Sequence, residues 1–155
     1  MAARRKTRKM LITATPEKSV RTLAMLMRDR HVGAVVIVEK NRPVGIVTDR
    51  DLVSRVVAAG RDPLGLTAKD VMTANVVVAR EGTPVADATE LMRAHGIRRV
   101  PVVNGRGRLV NVMTLDDLLV VLGGEIADLG RAVLAGMRKE YLRGRAIGRR
   151  AALGK

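Results

Sequence analysis

Displaced by 65 residues, this chain matches itself, and the self-match limits the folds open to it more than any other feature. Leu11-Ile12-Thr13-Ala14 falls on Val76-Val77-Val78-Ala79, Val20 on Val85, Leu26-Met27-Arg28 on Leu91-Met92-Arg93, and Val35-Val36-Ile37-Val38 on Val100-Pro101-Val102-Val103. One extra residue then enters, and a displacement of 66 brings Thr48 onto Thr114 and Asp51 onto Asp117. Few positions are identical. The order of apolar blocks and turns is what repeats, as expected of one structural unit used twice.

Each copy reads as β-α-β-β-α. A short β-rich run precedes a helix with apolar residues three and four apart: Val20, Leu23, Ala24 and Met27 in one copy, Val85, Ala88 and Met92 in the other. Thr83 before Pro84 predicts an N-cap followed by proline at the first helical position, and Gly96 predicts a C-terminal cap. Two strands follow, Ala34–Val38 with Val44–Val47 and Arg99–Val103 with Leu109–Met113. Asn104-Gly105 marks the second hairpin. Closing helices are expected at Asp49–Ala59 and Leu115–Leu122.

A unit of this size buries too little surface to stand comfortably alone. The expected fold is therefore mixed α+β, with two copies packed sheet to sheet about a pseudo-twofold axis. The expected division is a basic arm at 1–10, a first repeat at 11–60, a linker and second repeat at 61–122, and a basic helix and tail at 123–155. Arg61-Asp62-Pro63-Leu64-Gly65 is the breaker-rich linker.

The net charge of +14 is concentrated at the ends: residues 1–10 carry +5, residues 131–155 carry +7, and only +2 lies between. Hydrophobic residues make up 47%, enough for a core and too many for a disordered chain. The longest uncharged stretch, Val71 to Ala79, is nine residues, far short of a bilayer span. Met10 to Pro16 is likewise too short for the core of a signal peptide. Without cysteine there is no disulfide, thiolate metal site or cysteine nucleophile; a cytoplasmic location is expected.

The most pointed local feature is Gly45-Ile46-Val47-Thr48-Asp49-Arg50-Asp51, with its counterpart Asn111-Val112-Met113-Thr114-Leu115-Asp116-Asp117. Thr-x-x-Asp at a helix start is a capping box, and that structural role alone would account for it. The same geometry also suits a ligand. Amides at a helix start favour phosphate, the Thr48 hydroxyl can donate to a phosphate oxygen, and the Asp51 carboxylate can accept both hydroxyls of a ribose. Gly45 allows close approach to the backbone, and Arg50 offers a cation. Duplication of the element at matching places favours the ligand reading.

The β-α-β-β-α repeat, the strands Val-Val-Ile-Val and Val-Pro-Val-Val, the Asp-Val-Met-Thr lead-in at Asp70–Thr73 and the Gly-Ile-Val-Thr-Asp-Arg-Asp element together resemble the CBS domain, over about Met10 to Leu122. Two such repeats form a Bateman module. The resemblance implies a regulatory module that binds AMP, ADP or ATP, or else NAD or S-adenosylmethionine, in clefts between the repeats, pairs into a homodimer and signals to an effector protein. It implies that Asp51 and Asp117 hold ribose and that Thr48 and Thr114 touch phosphate. Thr13, Ala14, Val36 and Ile37 would enclose adenine at one site, and Val78, Ala79, Pro101 and Val102 at the other.

The two copies differ where the ligand would sit. Asn111 stands in place of Gly45, and Leu115-Asp116 in place of Asp49-Arg50, which disfavours phosphate at the second site. The first copy has Gly33-Ala34 where the second has Arg98-Arg99, and in a cleft between repeats these arginines can reach a phosphate or stand as solvated strand-edge charges. One good site and one weak or empty site are expected.

No catalytic constellation is present. His31 and His95 lack the companions of a metal site, Ser19 and Ser54 lie outside a nucleophile elbow, and no phosphate-binding Gly-x-x-x-x-Gly-Lys loop occurs. A binder rather than an enzyme is expected. Glu125 to Arg143 reads as an amphipathic helix and the remainder as a loose tail. The basic ends leave two further readings open: a scaffold for nucleic acid or another polyanion such as an anionic lipid surface, or a dimerisation module without a ligand. Tyr141 is the single aromatic residue, which argues against stacking on single strands.

Overall fold

The computed structural model describes residues 11–152. The first repeat contains β1 (Thr13–Ala14), α1 (Val20–Arg30), β2 (Ala34–Glu39) and β3 (Arg42–Thr48), then α2 (Asp49–Leu52), which runs into a π-helical turn at Val53–Val57. A connecting segment carries α3 (Ala68–Val71) and β4 (Thr73–Ala74). The second repeat contains β5 (Ala79–Arg80), α4 (Val85–His95), β6 (Arg99–Val103) and β7 (Leu109–Thr114), followed by α5 (Leu115–Ala152).

Helix α1 forms because Val20, Leu23 and Met27 fall on one face and are buried there. Ser19 caps its start by accepting from the Thr22 N–H at 3.2 Å, and His31 closes it in the left-handed conformation. That face packs in one cluster with Val35, Ile37 and Val47 of β2 and β3. Helix α4 repeats the pattern with Ala88 and Met92 buried, and Gly96 closes it at φ 62°. The expected start is off by one residue. Pro84 itself is the N-cap, while the Thr83 hydroxyl accepts from the Arg80 N–H at 3.1 Å and donates to the Arg80 carbonyl at 2.8 Å.

The sheets are ordered β1-β2-β3-β4 and β5-β6-β7. Parallel pairing sets Ala14 opposite Ile37 in the first sheet and Ala79 opposite Val102 in the second, equivalent positions of the two copies. The hairpins differ. Lys40 and Asn41 turn the first with both φ positive. In the second, Gly107, not Gly105, takes the positive φ, and the Asn104 carboxamide oxygen accepts from the N–H groups of Arg106 and Arg108. Asn104-Gly105 thus marks the hairpin through its asparagine side chain. The two hairpins meet, with the Leu109 N–H donating to the Asn41 carbonyl at 2.9 Å.

The connecting segment builds onto the first repeat. Its Leu66 carbonyl accepts from the Val20 N–H at 2.9 Å, and the Ala68 and Lys69 N–H groups donate to the Lys18 and Pro16 carbonyls. Ala68 and Val71 are buried in the first repeat's cluster, and β4 pairs antiparallel with β3, Ala74 opposite Gly45.

Beyond Thr114 the expected short helix, amphipathic helix and loose tail are one continuous helix as far as Ala152. Gly123, Gly124, Gly130, Gly136, Gly144 and Gly148 each cost about 1 kcal/mol relative to alanine, but no proline accompanies them, and the helix also holds many Leu, Ala and Arg residues of high helix propensity. This helix is a separate body from the two repeats. No helix among the described residues is long and apolar enough to cross a membrane. The basic arm at 1–10 lies outside the described residues.

Candidate functional site

The turn from β3 into α2 is a closed capping box. The Thr48 N–H and hydroxyl both donate to Asp51 Oδ2, at 2.8 and 2.7 Å, and the Asp51 N–H donates back to Thr48 Oγ1 at 3.2 Å. Asp51 Oδ1 faces the Arg55 guanidinium at 3.2 Å. The structural role considered from the sequence is therefore fully realised, and the Thr48 proton is directed at Asp51. The connecting segment shows that such a box is not in itself a site. There the Thr67 N–H and hydroxyl meet Asp70 Oδ2 at 2.8 and 2.7 Å, yet neither residue borders the cavity described next.

What distinguishes the first box is its surroundings. Ile46, Thr48, Asp49, Arg50, Asp51 and Thr73 line a cavity of 290 Å³ whose remaining wall comes from Gly96, Ile97, Arg98 and Arg99 of the second repeat. Three arginines and two aspartates are among its lining residues, and one of the aspartates, Asp51, is engaged by its cap and Arg55, so the lining carries an excess of positive charge. Arg99 is half-buried, and its Nη2 lies 2.8 Å from the point where a Cβ of Gly33 would stand, with Asp49 Oδ2 2.9 Å from the same point. The glycine leaves room for the arginine of the other repeat.

Gly45 has a packing reason of its own. A Cβ there would stand 2.3 Å from Met72 Sδ, so the missing side chain admits Met72 beside the β3–β4 pair. The residues expected around adenine do not border the cavity. Ala14, Val36, Ile37 and Pro101 are buried in the packed repeats, as are Ala79 and Val102. Thr13 and Val78 are exposed elsewhere. The buried ones give their side chains to the core of the repeats. Ile46 and Ile97 are the aliphatic side chains that the cavity does offer.

At the second position Thr114 ends β7 and Asp117 lies in the first turn of α5, two separate bodies. Asn111 is exposed, its side-chain oxygen accepting from the Val112 N–H at 2.8 Å.

Sequence reasoning passed over Asp49, Thr73 and Ile97 as lining residues, and it passed over Arg55. The Arg55 guanidinium donates to the Val71 carbonyl at 2.7 Å and to Thr73 Oγ1 at 3.1 Å while facing Asp51. It ties the connecting segment to the capping box. Only the spacing of Asp51 and Arg55, four apart on a helix, hinted at the pairing. Among the described residues no group of three or more His, Cys, Asp or Glu side chains is placed to hold a metal ion. His95 instead sets Nδ1 3.0 Å from the Leu91 carbonyl.

Comparison with known proteins agrees with this architecture. The CBS domain pattern matches residues 7–58 and again residues 68–124. The chain is 41% identical over 115 residues to an uncharacterized protein of Methanopyrus kandleri, covering 74% of this chain and 59% of that protein. It is 38% identical over 109 residues to the CBS domain-containing protein YhcV of Bacillus subtilis, covering 70% of this chain and 76% of that protein. Among solved structures, it resembles the CBS domain protein PAE2072 of Pyrobaculum aerophilum complexed with AMP: TM-score 0.64, 30% identity, 73% of this chain and 91% of that one. It also resembles the CBS domain pair of protein MJ0100, in complex with 5'-methylthioadenosine and S-adenosyl-L-methionine: TM-score 0.67, 30% identity, 76% and 91%. With the domain matched twice in succession and the paired repeats seen in the fold, this chain belongs to the CBS domain family.

Proposed function

We propose that this chain is a regulatory module that binds one adenine mononucleotide in the cavity between its repeats and passes the occupancy to a partner protein. The observation that carries the reading is the meeting of Arg98 and Arg99 from one repeat with the Thr48–Asp51 turn of the other across a single cavity. Arg98, Arg99 and Arg50 take the phosphate. Asp51 Oδ1 takes the ribose hydroxyls, and Ile46 and Ile97 offer the aliphatic contact for the base. Thr48 acts by holding Asp51 in place, since its hydroxyl proton is already spent there.

The cavity volume sits at the low end for small-molecule sites, which favours AMP, and a mononucleotide generally, over a dinucleotide such as NAD. The AMP held by the Pyrobaculum aerophilum protein supports the same ligand class. A ligand anchored on both repeats changes how they sit, because it binds one relative arrangement better than another. That differential is the signal offered to the partner. The second position lacks the glycine and the guanidinium groups of the first, so one ligand binds per chain.

The test is to purify the chain natively, wash in high salt to strip phosphate-bound polymers, denature it, and identify the released compounds by mass spectrometry. One adenine mononucleotide per chain supports the proposal. Oligonucleotides that leave in the salt wash, with no mononucleotide retained and no saturable binding of added AMP or ATP, would overturn it in favour of the basic ends.

A further inference from the structure

Helix α5 bears an apolar stripe exposed to water. Leu122, Ile126, Leu129, Val133 and Met137 follow one another at three or four residues, which places them on one side of the helix. The last four are between 61% and 69% exposed. Apolar area left in water on this scale marks an interaction surface rather than scattered surface residues.

The charge along α5 reverses from one half to the other. Asp116, Asp117, Glu125 and Asp128 occupy the first half, with Arg131 their one cation and ion-paired to Asp128 in the helix. Arg138, Lys139, Arg143, Arg145, Arg149 and Arg150 occupy the second half against Glu140. We propose that two copies of this chain pair through α5 in antiparallel orientation, with the twofold axis close to Arg131. Reversal about that point sets Leu129 opposite Val133 and Ile126 within one residue of Met137, and it brings Glu125 within one or two residues of Arg138 and Lys139. The stripe and the charges are complementary to themselves in the same register, and opposite charges beside an apolar seam specify orientation.

Other occupants satisfy less of the surface. A parallel pair sets each cationic half against its own copy. An anionic lipid surface or a nucleic acid attracts the second half but meets Glu125 and Asp128 beside the stripe itself. The stripe from Leu122 to Met137 is about four turns long, so the pairing is concentration-dependent rather than permanent.

The absence of cysteine makes the test direct. The full-length variants I126C and M137C, both altered at exposed positions, are mixed at micromolar concentration under mild oxidation. A disulfide forms only where Cα atoms approach within about 7 Å. The expected result is the mixed disulfide in excess over both homodisulfides, lost when L129K and V133K are added to both chains. An excess of the I126C homodisulfide would show a parallel pair and overturn the proposal. So would a yield no greater than that of the L129K–V133K chains. Sedimentation with phosphatidylserine vesicles, abolished by L129K–V133K and unaccompanied by the mixed disulfide, would assign the stripe to a lipid surface instead.

Discussion

Two glycines on the first repeat make room for different neighbours, and substituting them has different consequences. Alanine at Gly45 places a Cβ 2.3 Å from Met72 Sδ, 3.0 Å from its Cγ and 3.2 Å from its Cβ, too close for the end of the side chain alone to yield. Overpacking of this kind costs about 1–3 kcal/mol. Urea unfolding of Gly45→Ala should show that loss, and Gly45→Ala with Met72→Ala should recover part of it. Alanine at Gly33 meets only the ends of Arg99 and Asp49, both flexible, so stability stays within about 0.5 kcal/mol of the parent. The displaced guanidinium should nonetheless weaken AMP binding about fivefold, the equivalent of about 1 kcal/mol for one impaired charge-assisted contact. Calorimetric titration of the folded variant checks this, and unchanged affinity would remove Arg99 from the phosphate contacts.

At the scale of elements, the short connecting helix α3 is held at its start by Asp70. The Thr67 hydroxyl and N–H, donating to its carboxylate, hold the carboxyl below the usual carboxylate range. A group whose folded pKa is depressed contributes stability above its unfolded pKa and loses it as pH falls through the folded value. The difference in unfolding midpoint between the parent and Asp70→Ala should therefore be constant near neutrality and shrink in acid, below the ordinary carboxylate value. A difference that persists at low pH would assign the residue a role apart from its charge.

The same elements show how far the sequence can be read. Periodicity located α1, α4 and the strand pairs because their apolar residues face one core in a simple repeat. Gly96 marked the end of α4 because a left-handed cap demands such a residue. The continuity of α5 was not legible. Paired glycines read locally as a break, and a helix ends only where another conformation is better satisfied. The packing of the segment after the linker was not legible either, since Ala68, Val71 and the short β4 lie with the second copy in sequence and pack on the first in space. Arg98 and Arg99 were noticed because the first copy has Gly33 and Ala34 at their place. That they face Thr48 and Asp51 depends on the packing of the repeats, which no local pattern records. Which of the residues matched to the family motif are buried, as Ala14, Val36 and Ile37 are, was likewise not legible from the motif.

At the scale of the molecule, duplication provides two similar halves and divergence makes them unequal. One repeat contributes the capped turn with Asp51, and the other contributes the arginines that meet it. The asymmetry gives the cavity lined by both repeats an excess of guanidinium groups, and Arg55 connects that cavity to the segment joining the repeats. The most direct measurement of this account is calorimetric titration of the full chain with AMP, alongside Asp51→Ala and the double variant Arg98→Ala/Arg99→Ala. Asp51→Ala also removes a cap worth about 1 kcal/mol, so folding is checked by circular dichroism first. The expected result is one site per chain in the parent, abolished by Asp51→Ala and weakened at least tenfold in the arginine variant, whose fold is unaffected. Two equal sites per chain, or binding that survives in both variants, would contradict the account.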